Sequence, residues 1–240
     1  MSKMTFQESV MDSIQKLFHN NTVISISGKS GTGKTSLSLF LMGNFLTASN
    51  PYVNRGIWIQ ASESFSKKRL ESLFREEREK LKYLSNNIFV IPGNGPFPTY
   101  ESQFDQLKRF SKNDYLFPPE TRFLIIDNIS HHLRFKFSQI NDIEQRSYLI
   151  NNFYDTILNP LIFRCQRESI NLLLIHEVSF DVKTQRTRPY FSKLYERIRG
   201  VNISLSKCLI SNQRMLDLAF NNRQSSFKFN LTNNGFVFSE

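Results

Sequence analysis

The sequence is poor in cysteine and contains no long apolar run. Its 240 residues include 2 cysteines, Cys165 and Cys208, too few for a disulfide scaffold or a cysteine-ligated zinc site. No apolar stretch approaches the roughly 18 residues that a membrane-spanning helix needs. The first ten residues, MSKMTFQESV, lack the apolar segment of a secretory signal. We therefore expect a globular protein without a membrane partner.

Apolar and basic residues are, in contrast, plentiful. Apolar residues make up 40% of the chain and include 23 phenylalanines, enough to bury a sizeable core. The net charge is +10, and the last sixty residues contribute +6 of it, with ten Lys and Arg against four Asp and Glu. A localised basic excess indicates a polyanionic partner such as nucleic acid. A lysine-rich surface kept for solubility would have the same composition.

Short apolar runs alternate with amphipathic segments. Five runs are apolar on both faces, which is typical of buried parallel strands: 22–27, 56–61, 87–92, 122–127 and 171–176. Helical spacing of apolar residues occurs in three segments, 35–47, 66–84 and 142–168, and Pro160 should kink or split the last.

This alternation predicts the fold class. Strands that alternate with helices form right-handed crossovers and a parallel sheet. Residues 200–240 instead contain four short runs separated by polar turns, which predicts a β-meander. We expect one α/β domain over 1–240, with a helical lead-in over 1–20. Its mainly parallel sheet would be flanked by helices and extended by antiparallel C-terminal strands.

The strongest motif is GKSGTGKT, residues 28–35. It matches G-x-x-x-x-G-K-[ST], with a predicted strand before it and a predicted helix after it, as in a P-loop. In such a loop the backbone N–H groups surround phosphate, the lysine reaches the β- and γ-phosphates, and the last hydroxyl binds Mg²⁺. The predicted nucleotide-binding residues are Gly28, Lys29, Ser30, Gly31, Thr32, Gly33, Lys34 and Thr35.

A P-loop also needs an acidic group for the metal ion. Asp127 ends the apolar strand in RFLIID, at the same edge of the sheet as the P-loop. We expect Asp127 to hold Mg²⁺ through water, together with Thr35. Asn128 follows in place of the second acid of many helicases and transporters, and no N-K-x-D guanine-binding motif occurs. ATP is therefore the expected nucleotide.

Further segments follow in a characteristic order. They are IWIQASESFSKKRL (57–70), RFLIIDNISHHLR (122–134), NLLLIHEVS (171–179), LYERIRGVNISLSK and MLDLAFNNRQSSFKFNLTNNGFVF. In this order they resemble the RecA/RadA recombinase family, most closely its short archaeal RadB-like paralogues, over 10–238. The resemblance implies a RecA-like P-loop NTPase core that binds ATP and Mg²⁺ and acts in DNA recombination and repair. It also implies that the N-terminal DNA-binding domain of full-length RadA-type recombinases is absent.

The expected hydrolytic residues depart from the family pattern. Alignment on Arg69-Leu70 puts Ser62 where the family has the glutamate that polarises the attacking water, and Glu63 follows it. Glu63 can serve if the turn is shifted by one residue; otherwise the site binds ATP and hydrolyses it poorly. His176-Glu177 stand where the family has an Asn-Gln pair that senses the nucleotide. An ionised glutamate accepts hydrogen bonds but donates none, so we expect Glu177 to bind water or the metal, as a second catalytic candidate.

Two segments carry candidate DNA contacts. Residues 179–190 follow the predicted sensor strand, where the family has its second DNA-binding loop, and contain Lys183, Arg186 and Arg188. The expected loop 131–140 contains Arg134 and Lys136 interleaved with phenylalanines, an arrangement that suits single-stranded DNA. Solvated surface charges are the alternative interpretation of both segments.

Three functions remain open from the sequence. The first is a DNA-binding recombinase paralogue with a weak DNA-dependent ATPase activity, acting on single-stranded DNA, with a RadA-type recombinase or by self-association. The second is a KaiC-like regulatory ATPase that acts through protein partners, and the third is a motor, which the lack of a well-placed glutamate disfavours. A prokaryotic source would mean the cytoplasm and nucleoid, and a eukaryotic source the nucleus.

Overall fold

The described residues cover most of the predicted domain. The structure is a computed structural model that describes residues 10, 14, 16, 23–48, 52–181, 185–208, 213–221 and 223–239. Most of the predicted lead-in, 1–20, therefore lies outside the described residues, as does Lys183.

Eleven strands occur in the described part of the chain. They are β1 (Val23–Gly28), β2 (Arg55–Gln60), β3 (Ile88–Ile91), β4 (Thr121–Asp127), β5 (Asn171–His176), β6 (Val178–Asp181), β7 (Arg186–Pro189), β8 (Val201–Lys207), β9 (Arg214–Phe220), β10 (Arg223–Thr232) and β11 (Gly235–Ser239). Nine form one sheet in the order β11-β10-β9-β8-β1-β5-β4-β2-β3, while β6 and β7 form a separate antiparallel pair. The six strands from β8 to β3 are parallel.

The predicted strands β1 to β5 are confirmed to within one residue at either end. Their sequences are apolar on both faces because helices cover the sheet on both sides. The predicted C-terminal meander is confirmed, because β8, β9, β10 and β11 pair with one another in antiparallel order. Its first strand, β8, also pairs in parallel with β1 and so joins the meander to the parallel part of the sheet. The fold is therefore α/β, with a mixed and mostly parallel sheet flanked by helices.

Eight α-helices are described, and they cover both faces of the sheet. They are α1 (Lys34–Leu46), α2 (Lys67–Leu73), α3 (Arg78–Asn87), α4 (Tyr100–Ser111), α5 (His131–Ser138), α6 (Ile143–Phe153), α7 (Asn159–Arg167) and α8 (Ser192–Tyr195). Helices α1, α2 and α3 contribute side chains to one apolar cluster, and α4 to α7 contribute to the cluster on the other face. No described helix has both the length and the apolar character that crossing a bilayer requires.

Two of the predicted long helices are divided. The segment 66–84 is interrupted at Phe74. The buried Phe74 ring packs closely on α1: a Cβ atom added at Gly43 would lie 2.3 Å from Phe74 Cζ. The segment 142–168 contains a π-helical turn, Tyr154–Leu158, directly before α7. Pro160 lies in the first turn of α7, where its missing N–H is tolerated.

Candidate functional site

The P-loop connects the end of β1 to the start of α1. Gly31 and Gly33 have positive φ angles of 73° and 104°, which glycine adopts at little cost. The Thr32 hydroxyl donates a hydrogen bond to Lys29 O at 2.9 Å and closes the turn. Because the loop ends at the N-terminus of α1, the first N–H groups of this helix are available for an anion. The geometry agrees with the loop predicted from the sequence.

Lys34 folds back over this loop. Its ammonium donates hydrogen bonds to Gly28 O at 2.8 Å and to Lys29 O at 3.1 Å. Burial lowers the pKa of Lys34, and the nearby carboxylates of Asp127, Glu177 and Glu63 act in the opposite direction. The two carbonyl contacts hold the positive charge at the centre of the loop, where a bound phosphate would meet it.

The predicted metal ligands lie in contact. Thr35 Oγ1 donates a hydrogen bond to Asp127 Oδ2 at 2.8 Å, although the two residues are far apart in the chain. Burial raises the pKa of Asp127 to about 6, against the effects of the Thr35 hydrogen bond and of Lys34. A hydroxyl and a carboxylate are oxygen ligands of the kind that Mg²⁺ prefers. A divalent cation would also offset the cost of burying the Asp127 carboxylate.

A cleft of 510 Å³ opens in front of the P-loop. Its lining includes both catalytic candidates, Glu63 and Glu177, together with Asp127, Arg134 and Leu231. The P-loop, Asp127 and the two predicted catalytic glutamates therefore line one cavity. Parallel strands produce this convergence because their carboxyl ends lie along the same edge of the sheet.

The two glutamates have different surroundings. The Glu177 Oε1 atom accepts a hydrogen bond from Asn128 Nδ2 at 3.0 Å and lies 3.3 Å from His131 Nδ1. Its Oε2 atom lies 2.7 Å from Arg134 Nη1. Glu63 is exposed at the rim of the cleft and makes no hydrogen bond or ion pair with another described residue. Glu177 is thus held by its neighbours, whereas Glu63 has no such contact among the described residues.

The segment 131–140 was predicted as a loop, and this prediction is wrong: residues 131–138 form helix α5. The two predicted DNA-contacting cations consequently point to different partners. Arg134 reaches Glu177 in the cleft in front of the P-loop, and Lys136 forms an ion pair with Glu101 at 2.7 Å. Of the phenylalanines, Phe135 is exposed, whereas Phe137 packs against Phe191.

In the segment 179–190, β6 and β7 pair in antiparallel order as the two arms of a hairpin, and residues 182–184 between them lie outside the described residues. The backbone of Arg186 pairs with Asp181 in this hairpin. Arg188 Nε lies 3.8 Å from Asp181 Oδ2. The hairpin begins directly after Glu177, and Tyr190 N donates a hydrogen bond to Glu177 O at 3.0 Å. The base of the hairpin is thus connected to the cleft in front of the P-loop.

His176 is completely buried, and its ring lies 4.1 Å from the ring centroid of Tyr195. Neither ring nitrogen has a hydrogen-bond partner among the described residues. Burial lowers the pKa of His176 to about 3. The imidazole is therefore neutral at pH 7.

Two basic residues near the P-loop were not predicted as site residues. Lys207, at the end of β8, lies over the loop, since a Cβ on Gly31 would be 3.4 Å from its Nζ. Arg69 donates hydrogen bonds to Ser36 Oγ at 2.9 Å and to Thr232 O at 2.9 Å. It thereby joins the start of α1 to the β10–β11 turn. Arg69 could have been identified from the sequence, because the Arg69-Leu70 pair is part of the family resemblance. Lys207 could not, because its position depends on the pairing of β8 with β1.

Comparison with known proteins does not identify a family. The sequence matches none of the protein-family models and none of the curated proteins with which it was compared. The functional interpretation of the cleft therefore depends on its own geometry and chemistry.

Proposed function

We propose that this chain is an ATP-binding, DNA-binding recombinase paralogue with a RecA-like core, which assists homologous recombination and DNA repair. The observation that carries the proposal is the 2.8 Å hydrogen bond between Thr35 and Asp127. It brings the metal ligands of two separate motifs together at the end of the P-loop. The resemblance of the ordered segments to the RecA/RadA family supports the choice of function.

The proposal assigns roles to the P-loop, to Asp127 and to Glu63. The loop N–H groups and Lys34 bind the phosphates, and Thr35 and Asp127 hold Mg²⁺, the latter through water. ATP supplies the phosphoanhydride bond that is hydrolysed. Glu63 orients the attacking water from the rim of the cleft, and its exposure favours slow turnover because general-base catalysis needs fixed geometry.

Single-stranded DNA is the proposed partner of the β6–β7 hairpin. Lys183, Arg186 and Arg188 would neutralise backbone phosphates and release counterions. A RadA-type recombinase, or a second copy of this chain, is the proposed protein partner at the DNA.

A KaiC-like regulatory ATPase is the second candidate, and a specific observation favours it. Three predicted DNA-contacting cations, Arg134, Lys136 and Arg188, lie next to carboxylates of the same chain. A cation that is already paired contributes less to a phosphate contact. Such a protein would bind ATP in the same cleft and pass the signal to a protein partner.

Fluorescence anisotropy of a labelled single-stranded oligonucleotide, at two salt concentrations and with and without Mg-ATP, separates the two candidates. We expect binding that weakens with salt and changes with ATP. Replacing Lys183, Arg186 and Arg188 with alanine should reduce the slope of log affinity against log salt by about 2, since each phosphate contact on a single strand contributes about 0.7. The matched control replaces the exposed Lys108, Arg109 and Lys112 and should retain the slope. Absence of binding in every condition would favour the regulatory ATPase.

The role of Glu63 has a separate test. Glu63→Gln should lower the ATPase rate by about 100-fold, because general-base catalysis typically contributes that much or more. Phosphate release under saturating Mg-ATP measures the rate. Glu71→Gln removes an equally exposed charge on α2 and should leave the rate unchanged. A wild-type rate in Glu63→Gln would exclude Glu63 as the base.

A further inference from the structure

Arg134 extends from α5 into the nucleotide cleft. Its guanidinium contributes to the lining of the cleft beside the P-loop and lies 2.7 Å from Glu177 Oε2. On its other side the guanidinium carbon lies 4.9 Å from the ring centroid of Tyr190. Arg134 is therefore placed by two contacts in the cleft that would hold the phosphates.

The surroundings of Glu177 create an electrostatic problem for a triphosphate. Glu177 lines the same cleft as Lys34, and its carboxylate is one of those that partly oppose the lowering of the Lys34 pKa by burial. A terminal phosphate bound beside Lys34 would bring negative charge towards Glu177, and like charges at short range repel. Lys34 and the proposed Mg²⁺ offset part of this repulsion, and a further cation next to Glu177 would reduce it more.

Arg134 has the chemistry for this role. A guanidinium presents five N–H donors in a planar fork, which matches two oxygens of a phosphate. Glu177 would not be left unpaired if Arg134 moved, because Asn128 Nδ2 remains within 3.0 Å of its other oxygen. The exchange of Arg134 from carboxylate to phosphate thus leaves both anions with hydrogen-bond donors.

We propose that Arg134 recognises the terminal phosphate of a bound nucleoside triphosphate by exchanging Glu177 for that phosphate, and so distinguishes ATP from ADP. This inference rests on the proposed nucleotide-binding function and adds a residue that the P-loop motif does not contain. When no terminal phosphate is bound, Arg134 stays paired with Glu177. It then contributes nothing to the binding of a diphosphate.

Isothermal titration calorimetry with a non-hydrolysable ATP analogue and with ADP, both with Mg²⁺, tests the proposal. Arg134→Ala should weaken binding of the ATP analogue about ten- to hundredfold, the range of a hydrogen bond between charged groups, and leave ADP binding unchanged. The matched control is Lys136→Ala, which removes a cation from the same helix that pairs with Glu101 outside the cleft. It should change neither affinity.

A second variant tests the same exchange by changing Glu177 instead of Arg134. Glu177→Gln removes the charge that competes for Arg134 but retains a hydrogen-bond acceptor for Asn128, so binding of the ATP analogue should tighten while ADP binding stays unchanged. Equal losses for both nucleotides in Arg134→Ala, or equal affinities in Glu177→Gln and wild type, would overturn the proposal. If the wild-type protein bound neither nucleotide, the proposed function itself would fail, and this inference with it.

Discussion

Replacing Lys34 with alanine is expected to abolish detectable ATP binding. The ammonium is the charge at the centre of the loop, held there by Gly28 O and Lys29 O. Hydrogen bonds to charged groups contribute about 1.5–3 kcal/mol each. Loss of two of them to phosphate corresponds to a weakening of at least about 100-fold. Calorimetric titration with Mg-ATP measures the change.

Lys29→Ala is the matched control for this prediction. Lys29 belongs to the same loop and carries the same charge, but its side chain is exposed, and the substitution retains the backbone carbonyl that Lys34 contacts. We expect a weakening of less than about tenfold, typical of one screened charge. Wild-type affinity in Lys34→Ala, with an unchanged melting temperature, would show that the P-loop does not bind the nucleotide.

The largest expected effect on stability comes from Arg164, on α7. This arginine is almost completely buried and donates a hydrogen bond to Phe110 O at 2.8 Å and others to Lys112 O and Tyr115 O. It also forms an ion pair with Glu168 at 2.8 Å. Arg164→Ala would leave these acceptors unpaired in the interior, at a cost of about 3–5 kcal/mol. Urea-induced unfolding of the purified protein measures the free energy of unfolding.

Arg167→Ala provides the control on the same helix. Arg167 also contacts Glu168, at 3.2 Å, but its side chain is 56% exposed. Exposed ion pairs contribute about 1 kcal/mol at most, so this variant should remain close to wild type. Similar losses for Arg164→Ala and Arg167→Ala would contradict the assignment of Arg164 as the buried anchor between α7 and the segment that follows α4.

The sequence predicted a structural element correctly where its side-chain pattern is typical of only one structure. The five parallel strands β1 to β5 were predictable because an apolar run of their length between polar turns fits a covered parallel sheet. The P-loop was predictable because glycines at set positions permit its backbone conformation. Helix α5 was missed because alternating Arg, Phe, Lys and Phe residues resemble an exposed loop, and its burial against Phe191 depends on a distant segment.

The sequence by itself determined the strands β1 to β5, the glycine-rich turn between β1 and α1 and the identity of the acids near it. These features depend on residues that are neighbours in the chain, or on the rule that parallel strands end at one edge. Only the tertiary structure decided that Arg134 faces Glu177, that Lys207 lies over Gly31 and that Glu63 remains exposed. Those contacts join residues from different elements, so they depend on strand order and helix packing, which no local pattern encodes.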